Sequence, residues 1–257
     1  MISRRNFLKL SGAGVLSLYA ATRGKFTLKA QAVIPGGTLD PLAVPKFVTP
    51  LLIPPVMPRA GTIRQKGGKN IDYYEISMKQ ISQQILPAGY DPTPVWGYGA
   101  VAGSRRNPLL VHNAPSLTIE AQWNRPVRVK WINDLKDADG NFLPHLLPVD
   151  QTLHWANPIG GEEGRDTRPE FDQTPGPYTG PVPMVTHVHG AVGVGDESDG
   201  YTEAWYLPAA NDIPAGYATE GTWYDFFKNK AANLYGAAWG PGYATFQYPN
   251  KNRASTI

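Results

Sequence analysis

The sequence predicts an all-β fold, an antiparallel sandwich or Greek-key barrel in which short strands are joined by long loops. Several short segments alternate apolar and polar residues with a period of two, the pattern of a strand with one buried face. Between them, 134–181 and 193–242 are rich in glycine, proline, asparagine and aspartate. The chain has 27 glycines and 25 prolines among 257 residues, so turns and loops occupy much of it. This combination is typical of β-sandwiches.

Five segments are candidate strands and one is a candidate helix. In the clearest strand, Tyr74, Ile76 and Met78 share one face. Helical periodicity is weak except at 222–234. In chain order, the candidate strands are 72–79, 117–120, 127–134, 184–189 and 244–248.

Residues 1–32 are interpreted as an export signal and not as part of the fold. Arg4 and Arg5 precede an apolar stretch, 8–21, and a small-x-small cleavage signal ends at Ala32. The apolar stretch is too short for a stable membrane span. Paired arginines are typical of twin-arginine export, which predicts a periplasmic or extracellular protein that engages the twin-arginine export machinery. The alternative interpretation is a basic amphipathic helix of the mature protein.

The rest of the chain is predicted to be an arm followed by one domain. Residues 33–70 contain seven prolines, which disfavour both helix and central strand, so this segment is expected to be an extended, proline-rich arm. Residues 71–257 show no internal repeat and no linker, so they are expected to form a single domain.

Composition excludes some classes of function. The formal net charge is only +3, and no long run of lysine or arginine is present, which argues against a nucleic-acid partner. The chain has no cysteine, so no disulfide can stabilise the fold in an oxidising compartment.

The most informative motif is a pair of histidines, His187 and His189. In a strand, side chains at i and i+2 lie on the same face, with Cα atoms roughly 6–7 Å apart, so both imidazoles could reach metal. Neutral imidazole suits copper, zinc, iron or nickel. The acidic residues Asp196, Asp199 and Glu203 follow at once and could fix imidazole tautomers or carry protons. The alternative is two half-buried histidines bonded to backbone carbonyls, beside a solvated acidic turn.

The histidine pair belongs to a longer series of motifs that resembles a known family. The matching segments are, in chain order, 73–76, 96–98, 129–133, 146–154, 186–190, 198–201, 203–205 and 248–250. Together they resemble the first copper motif and its surroundings in bacterial multicopper oxidases of the spore-coat laccase and bilirubin oxidase type. The resemblance covers most of residues 45–257.

This resemblance implies a cupredoxin-like Greek-key β-sandwich, with residues 71–257 as the first of three cupredoxin (plastocyanin-like) domains. Such oxidases couple one-electron substrate oxidation at a blue copper to reduction of dioxygen to water at a trinuclear copper cluster. By the match, His187 would ligate the type 2 copper and His189 one copper of the type 3 pair. Asp199 would assist proton delivery to the oxygen intermediates.

The resemblance also implies that this chain is truncated and incomplete at its C-terminal strands. The second copper motif of the family would follow the segment 248–250, and a blue copper requires a cysteine thiolate. We therefore expect missing C-terminal cupredoxin domains or a companion chain to supply the other ligands, and the chain alone to be inactive. The stretch 206–248 is longer than in the spore-coat enzymes, which predicts an added loop.

Two other functions stay open at this point. One is a stand-alone, non-catalytic cupredoxin module that binds copper or a partner. The other is a carbohydrate-binding sandwich with an aromatic platform, although core packing is the commoner role of aromatic residues. The aromatic residues concerned are Trp205, Trp223, Tyr224, Phe226, Phe227 and Trp239. Among the other histidines, His154 is expected to be structural, and His112 and His145 to be loop residues.

Overall fold

A computed structural model describes residues 39–101 and 112–254. The predicted export signal and the first part of the predicted arm lie outside these residues. The chain divides into two units after Lys46. In the first unit, a turn is closed by a hydrogen bond from the Ala43 N–H to the Asp40 carbonyl, 3.0 Å long. The fold described below is that of the second unit.

The second unit is built mainly from one sheet. Its strands are β1 (Gly61–Ile63), β2 (Ile71–Gln83), β3 (Thr93–Ala100), β4 (Val127–Asn133) and β5 (Tyr243–Tyr248). The helices are short: α1 (Gly161–Gly164) and α2 (Tyr224–Tyr235), with 3-10 turns at Pro158–Gly160, Asp196–Ser198 and Thr202–Ala204. None of the helices in the described ranges has the length and hydropathy needed to cross a membrane.

β2 lies at the centre of this sheet. Antiparallel β1 and β3 pair with one edge of β2, and β4 pairs with its other edge in parallel. β5 then pairs antiparallel with β4. The sheet is therefore mixed, and the β2–β4 pair differs from the antiparallel pairing expected for the sandwich. A parallel pair needs a long crossover connection, and here β3 and residues 101–126 lie between the two strands in sequence.

The period-two pattern identifies the buried face of the sheet correctly. The pairing register places Tyr74 of β2 beside Val129 of β4, and Val129 beside Phe246 of β5. All three side chains are buried, because one face of the sheet packs against the core. The next row, Ile76, Trp131 and Ala244, repeats this arrangement.

Irregular segments complete the core. Met184, Tyr206 and residues of α2 belong to the same buried cluster as the sheet. In the part of the chain that the structure describes, Met184, Tyr206 and Glu220 are joined only by isolated antiparallel bridges, so this layer is not a regular second sheet. The mostly sheet architecture with few helices agrees with the predicted cupredoxin-like β fold.

Most predicted elements are present, with shifted ends. The candidate strand 72–79 extends to Ile71–Gln83, and the candidate helix 222–234 forms as Tyr224–Tyr235. The helix ends at Gly236, which has a left-handed conformation with φ 61°. At 117–120 only Thr118 forms a bridge, to Val56. The predicted domain boundaries stay a prediction, and within the predicted arm 61–63 form β1.

The outer edge of β5 is covered by side chains. The Gln247 N–H donates to the Ser198 hydroxyl at 3.0 Å. The Trp239 indole donates to the Thr245 carbonyl at 2.9 Å. These bonds satisfy backbone groups that would otherwise form an open strand edge.

Candidate metal centre

His187 and His189 lie close together, although they are not in a strand. Within the candidate strand 184–189, only Met184 forms a bridge, so the expectation of a strand at the histidines was wrong. The two imidazole centroids are nevertheless 5.0 Å apart, with their planes at 71°. The chain turns directly afterwards at Gly190, where φ is 71°. The spacing thus brings the rings together through a turn and not through a pleat.

A backbone hydrogen bond fixes the orientation of His187. Its Nδ1 lies 2.8 Å from the carbonyl oxygen of Asp199. A carbonyl can only accept, so Nδ1 must carry the proton. In the neutral ring the lone pair is then on Nε2, so Nε2 is the nitrogen that could bind a metal.

The Asp199 carboxylate faces the same side of the His187 ring. Oδ1 of Asp199 is 3.2 Å from Nδ1, and this oxygen is buried without a hydrogen-bond partner in the described residues. Its negative charge would stabilise positive charge on the imidazole. Because it faces Nδ1 and not Nε2, Asp199 supports His187 and does not compete as a ligand of the same metal. Its role in proton delivery stays a prediction.

A glycine allows the Asp199 segment to approach the histidines. Gly200 has a positive φ of 71°, and a Cβ at this position would collide with the backbone carbonyl of Thr186. Thr186 directly precedes His187, so only glycine permits this packing. On the other side, the buried Ser198 hydroxyl accepts the Gln247 N–H of β5 at 3.0 Å. The loop is therefore held between the histidine segment and the sheet.

The other described histidines do not join this pair. His112 Nε2 is hydrogen-bonded to the Ser77 hydroxyl at 2.8 Å, and His154 Nε2 lies 3.7 Å from Glu203 Oε1. Across 39–101 and 112–254, no group of three or more His, Cys, Asp or Glu side chains is placed to hold a metal ion. In these ranges the arrangement is therefore a pair of imidazoles and not a complete metal site.

Comparison with known proteins finds similarity to laccases and to a multicopper oxidase. The chain is 31% identical over 165 residues to a laccase of Bacillus subtilis, a match that covers 64% of this chain and 24% of the relative. It is 33% identical over 164 residues to a laccase of Bacillus stratosphericus, covering 63% and 23%. A further relative is multicopper oxidase LPR1 homolog 3 of Oryza sativa subsp. japonica, 35% identical over 115 residues, covering 45% and 15%.

These relatives support the assignment of the chain to the multicopper oxidase family. The matched region spans about a quarter of the length of the two laccases. No family model matches this chain.

His189, but not His187, lines an apolar groove of about 720 Å³. Its lining includes Val129, Trp131 and Tyr248 from the core face of the sheet. His189 and the half-exposed Val192 also line it. No local pattern in the sequence indicates this groove, because its lining residues are distributed over four separate segments.

His145 packs within a cluster of aromatic rings. Its ring centroid lies 5.7 Å from that of Trp96 and 5.6 Å from that of Tyr178. Burial lowers the pKa of His145 below its usual range. The expectation of a simple loop residue missed this aromatic cluster.

The candidate sugar platform is divided between core and surface. Four of the six aromatic residues are buried, namely Trp205, Tyr224, Phe227 and Trp239. The two exposed ones, Trp223 and Phe226, pack edge to face at 83°. These two rings therefore do not form one continuous flat surface, and the other four belong to the packed interior.

Proposed function

We propose that this chain contributes two histidine ligands to the copper cluster of a laccase-like oxidase. Such an oxidase couples one-electron oxidation of a substrate to the reduction of dioxygen to water. The observation that carries the proposal is the His187–His189 pair, in which the Asp199 carbonyl holds Nδ1 of His187 and leaves Nε2 free. The laccase relatives support copper as the metal.

The residues present fit copper. Imidazole nitrogens are ligands that copper accepts readily. The buried Oδ1 of Asp199, 3.2 Å from Nδ1 of His187, places negative charge beside the ring, which favours binding of a cation on the opposite side. Copper, when bound, would supply the electron transfer to dioxygen.

Each residue has a proposed part in this centre. His187 is proposed to bind the type 2 copper through Nε2, and His189 one copper of the type 3 pair. The backbone of Asp199 holds His187 in the binding tautomer. Its carboxylate is proposed to hold and release a proton at Oδ1 during oxygen reduction.

The proposal places the remaining ligands in other polypeptide segments. The chain has no cysteine, so the thiolate of a blue copper would have to come from C-terminal cupredoxin domains or from a companion chain. On this proposal the chain alone has no oxidase activity. Twin-arginine export to the periplasm or the cell exterior is part of the same proposal.

Copper titration of the purified chain tests the proposal. We expect electron spin resonance to show nitrogen ligation of Cu²⁺ in the wild type. His187→Ala and His189→Ala should each weaken binding by at least about tenfold, because each removes one imidazole ligand. His154→Ala is the matched control, since His154 lies outside the pair beside Glu203. Equal copper affinity in all four proteins would contradict the proposal.

A second measurement distinguishes the alternative of a stand-alone module. Oxygen consumption is measured with a phenolic substrate, first for the copper-loaded chain and then after addition of the C-terminal cupredoxin domains or companion chain that the proposal requires. Activity that appears only with the added polypeptide supports the proposed partial cluster. Copper binding with no activity in either case favours the non-catalytic module.

A further inference from the structure

The Asp199 loop contains a buried acid, Glu197, that is not explained by the metal centre itself. Glu197 is only 3% exposed and lies on the 3-10 turn Asp196–Ser198, two positions before Asp199. A buried carboxylate is costly unless it is paired or hydrogen-bonded. The partners of Glu197 therefore determine where this part of the loop can lie.

Both partners of Glu197 come from α2. The Tyr235 hydroxyl donates to Oε1 of Glu197 at 3.0 Å. Lys230 Nζ lies 3.3 Å from Oε2, within ion-pair distance. Burial, and then the bond to Glu197, raise the pKa of Tyr235, so this hydroxyl keeps its proton and remains a donor. We refer to Glu197, Lys230 and Tyr235 as the clamp.

The end of α2 that carries the clamp is itself fixed to the sheet. Arg128 of β4 donates from Nη2 to the Tyr235 carbonyl at 2.6 Å. Arg128 also bonds to Gln247 of β5, with 3.0 Å from its Nε to Oε1. Cations at a helix C-terminus are favourable because the last carbonyls carry partial negative charge. The clamp therefore connects the Asp199 loop to the rigid sheet through α2.

The clamp is connected to His187 through Asp199, which lies two positions after Glu197. Only Ser198 separates Glu197 from Asp199, and the Asp199 carbonyl lies 2.8 Å from Nδ1 of His187. A shift of the backbone at Glu197 would therefore change the hydrogen bond that sets the tautomer of His187. α2 lies in the stretch 206–248, where the sequence predicts an added loop.

We propose that Glu197, Lys230 and Tyr235 are positioning residues that set the Nδ1–H bond of His187 and thereby its affinity for metal. The proposal rests on the proposed role of His187 as a metal ligand. Ser198 and Gly200 also hold the loop, so loss of the clamp weakens the His187 bond without unfolding the site.

Two substitutions on α2 test the clamp without changing the histidines or the loop. Tyr235→Phe removes only the hydroxyl, and Lys230→Met removes the charge while keeping most of the side-chain length. Lys228→Met is the matched control, because Lys228 pairs on the same helix with the exposed Asp225. Lys230→Arg restores the charge and should recover wild-type behaviour.

The first measurement uses the metal-free protein. Nitrogen-15 NMR of the imidazoles reports which nitrogen of His187 is protonated. We expect the wild type and Lys228→Met to show a single Nδ1–H form, and Tyr235→Phe and Lys230→Met to show a mixture of tautomers. A purely structural role of the clamp would lower the unfolding temperature without changing these signals.

The second measurement is copper affinity. We expect Tyr235→Phe and Lys230→Met to bind Cu²⁺ about threefold to tenfold more weakly than the wild type, at the lower end of effects seen for residues that support metal ligands. Unchanged NMR signals and unchanged affinity in folded variants would overturn the proposal. If the wild type fails to bind copper, the proposed function is wrong, and the tautomer measurement still decides whether the clamp positions His187.

A further variant tests the clamp if Tyr235→Phe and Lys230→Met do not fold. Glu197→Gln keeps an acceptor for the Tyr235 hydroxyl and removes only the ion pair with Lys230. Its His187 signals should move in the same direction as those of Lys230→Met, because both variants lose the same ion pair. Wild-type signals in folded Glu197→Gln protein, with Lys230 unpaired, would overturn the part assigned to the ion pair.

Discussion

The sheet and the histidine loop of this molecule are held in different ways. β2, β4 and β5 are joined by continuous ladders of backbone hydrogen bonds. If one of these bonds is lost, the adjacent bonds still hold the two strands together. The loop that contains Asp199 depends on single contacts, made by Glu197, Ser198 and the Asp199 carbonyl. The sheet therefore tolerates small changes, whereas the geometry of the histidine pair depends on each contact separately.

The largest expected effect is loss of the sheet core. Trp131 is buried, packs edge to face with Tyr98 at 5.4 Å and donates its indole N–H to the Tyr248 hydroxyl at 3.1 Å. Trp131→Ala should lower the free energy of unfolding by about 3–5 kcal/mol, because it leaves a cavity and an unpaired hydroxyl. Urea unfolding measures this change.

The control for Trp131 is another tryptophan. Trp123 is 71% exposed, so Trp123→Ala should change the unfolding free energy by no more than about 0.5 kcal/mol. Similar losses in the two variants would show that the sheet is not the stable part of the molecule.

A smaller but more local effect is expected in the histidine loop. Gly200→Ala should cost about 3 kcal/mol, from left-handed strain and from collision with the Thr186 carbonyl. It should also displace Asp199 and so weaken copper binding, as measured by titration. Gly67 has a similar φ of 75°, but a Cβ at this position would meet nothing within 4 Å, so Gly67→Ala should cost about 1 kcal/mol and leave copper binding unchanged. Equal effects of the two substitutions would contradict the role assigned to Gly200.

The smallest expected effect concerns a histidine that is held by packing. Burial lowers the pKa of His145, so the unfolded chain binds a proton at this residue more readily than the folded protein does. Stability should therefore fall as the pH decreases through about 6.5, the ordinary pKa of histidine. His145→Phe should reduce this dependence by less than about 1 kcal/mol between pH 7.5 and 5.5. Urea unfolding at the two pH values measures the change in stability. The same change in the wild type and in His145→Phe would exclude His145 as the source of the pH dependence.

The sequence predicted the sheet better than its connections. Strands such as β2 and β4 alternate apolar and polar residues, because one face of each is buried, so their positions can be read from the sequence. β3 was missed because Pro94 and Gly97 interrupt its pattern. The parallel pairing of β2 with β4 could not be foreseen, since periodicity defines which face is buried but not the direction of a neighbouring strand.

The sequence also predicted which residues form the candidate site, but not how they are held. The spacing of His187 and His189 indicated adjacent imidazoles, and the rings are adjacent. The contacts that orient them come from distant positions. Tyr235 is 38 positions from Glu197, and Gln247 is 49 positions from Ser198. Such pairings depend on the completed fold and leave no local pattern.

The pairing of β4 with β5 has a consequence for how this protein forms. Arg128 and Gln247, neighbours in that ladder, are 119 positions apart. Closing so long a segment costs entropy before any ladder bond is gained, which slows folding. A ribosome must have released nearly the whole of this sequence before the ladder can close. We therefore expect the nascent chain to stay dependent on chaperones until β5 has emerged.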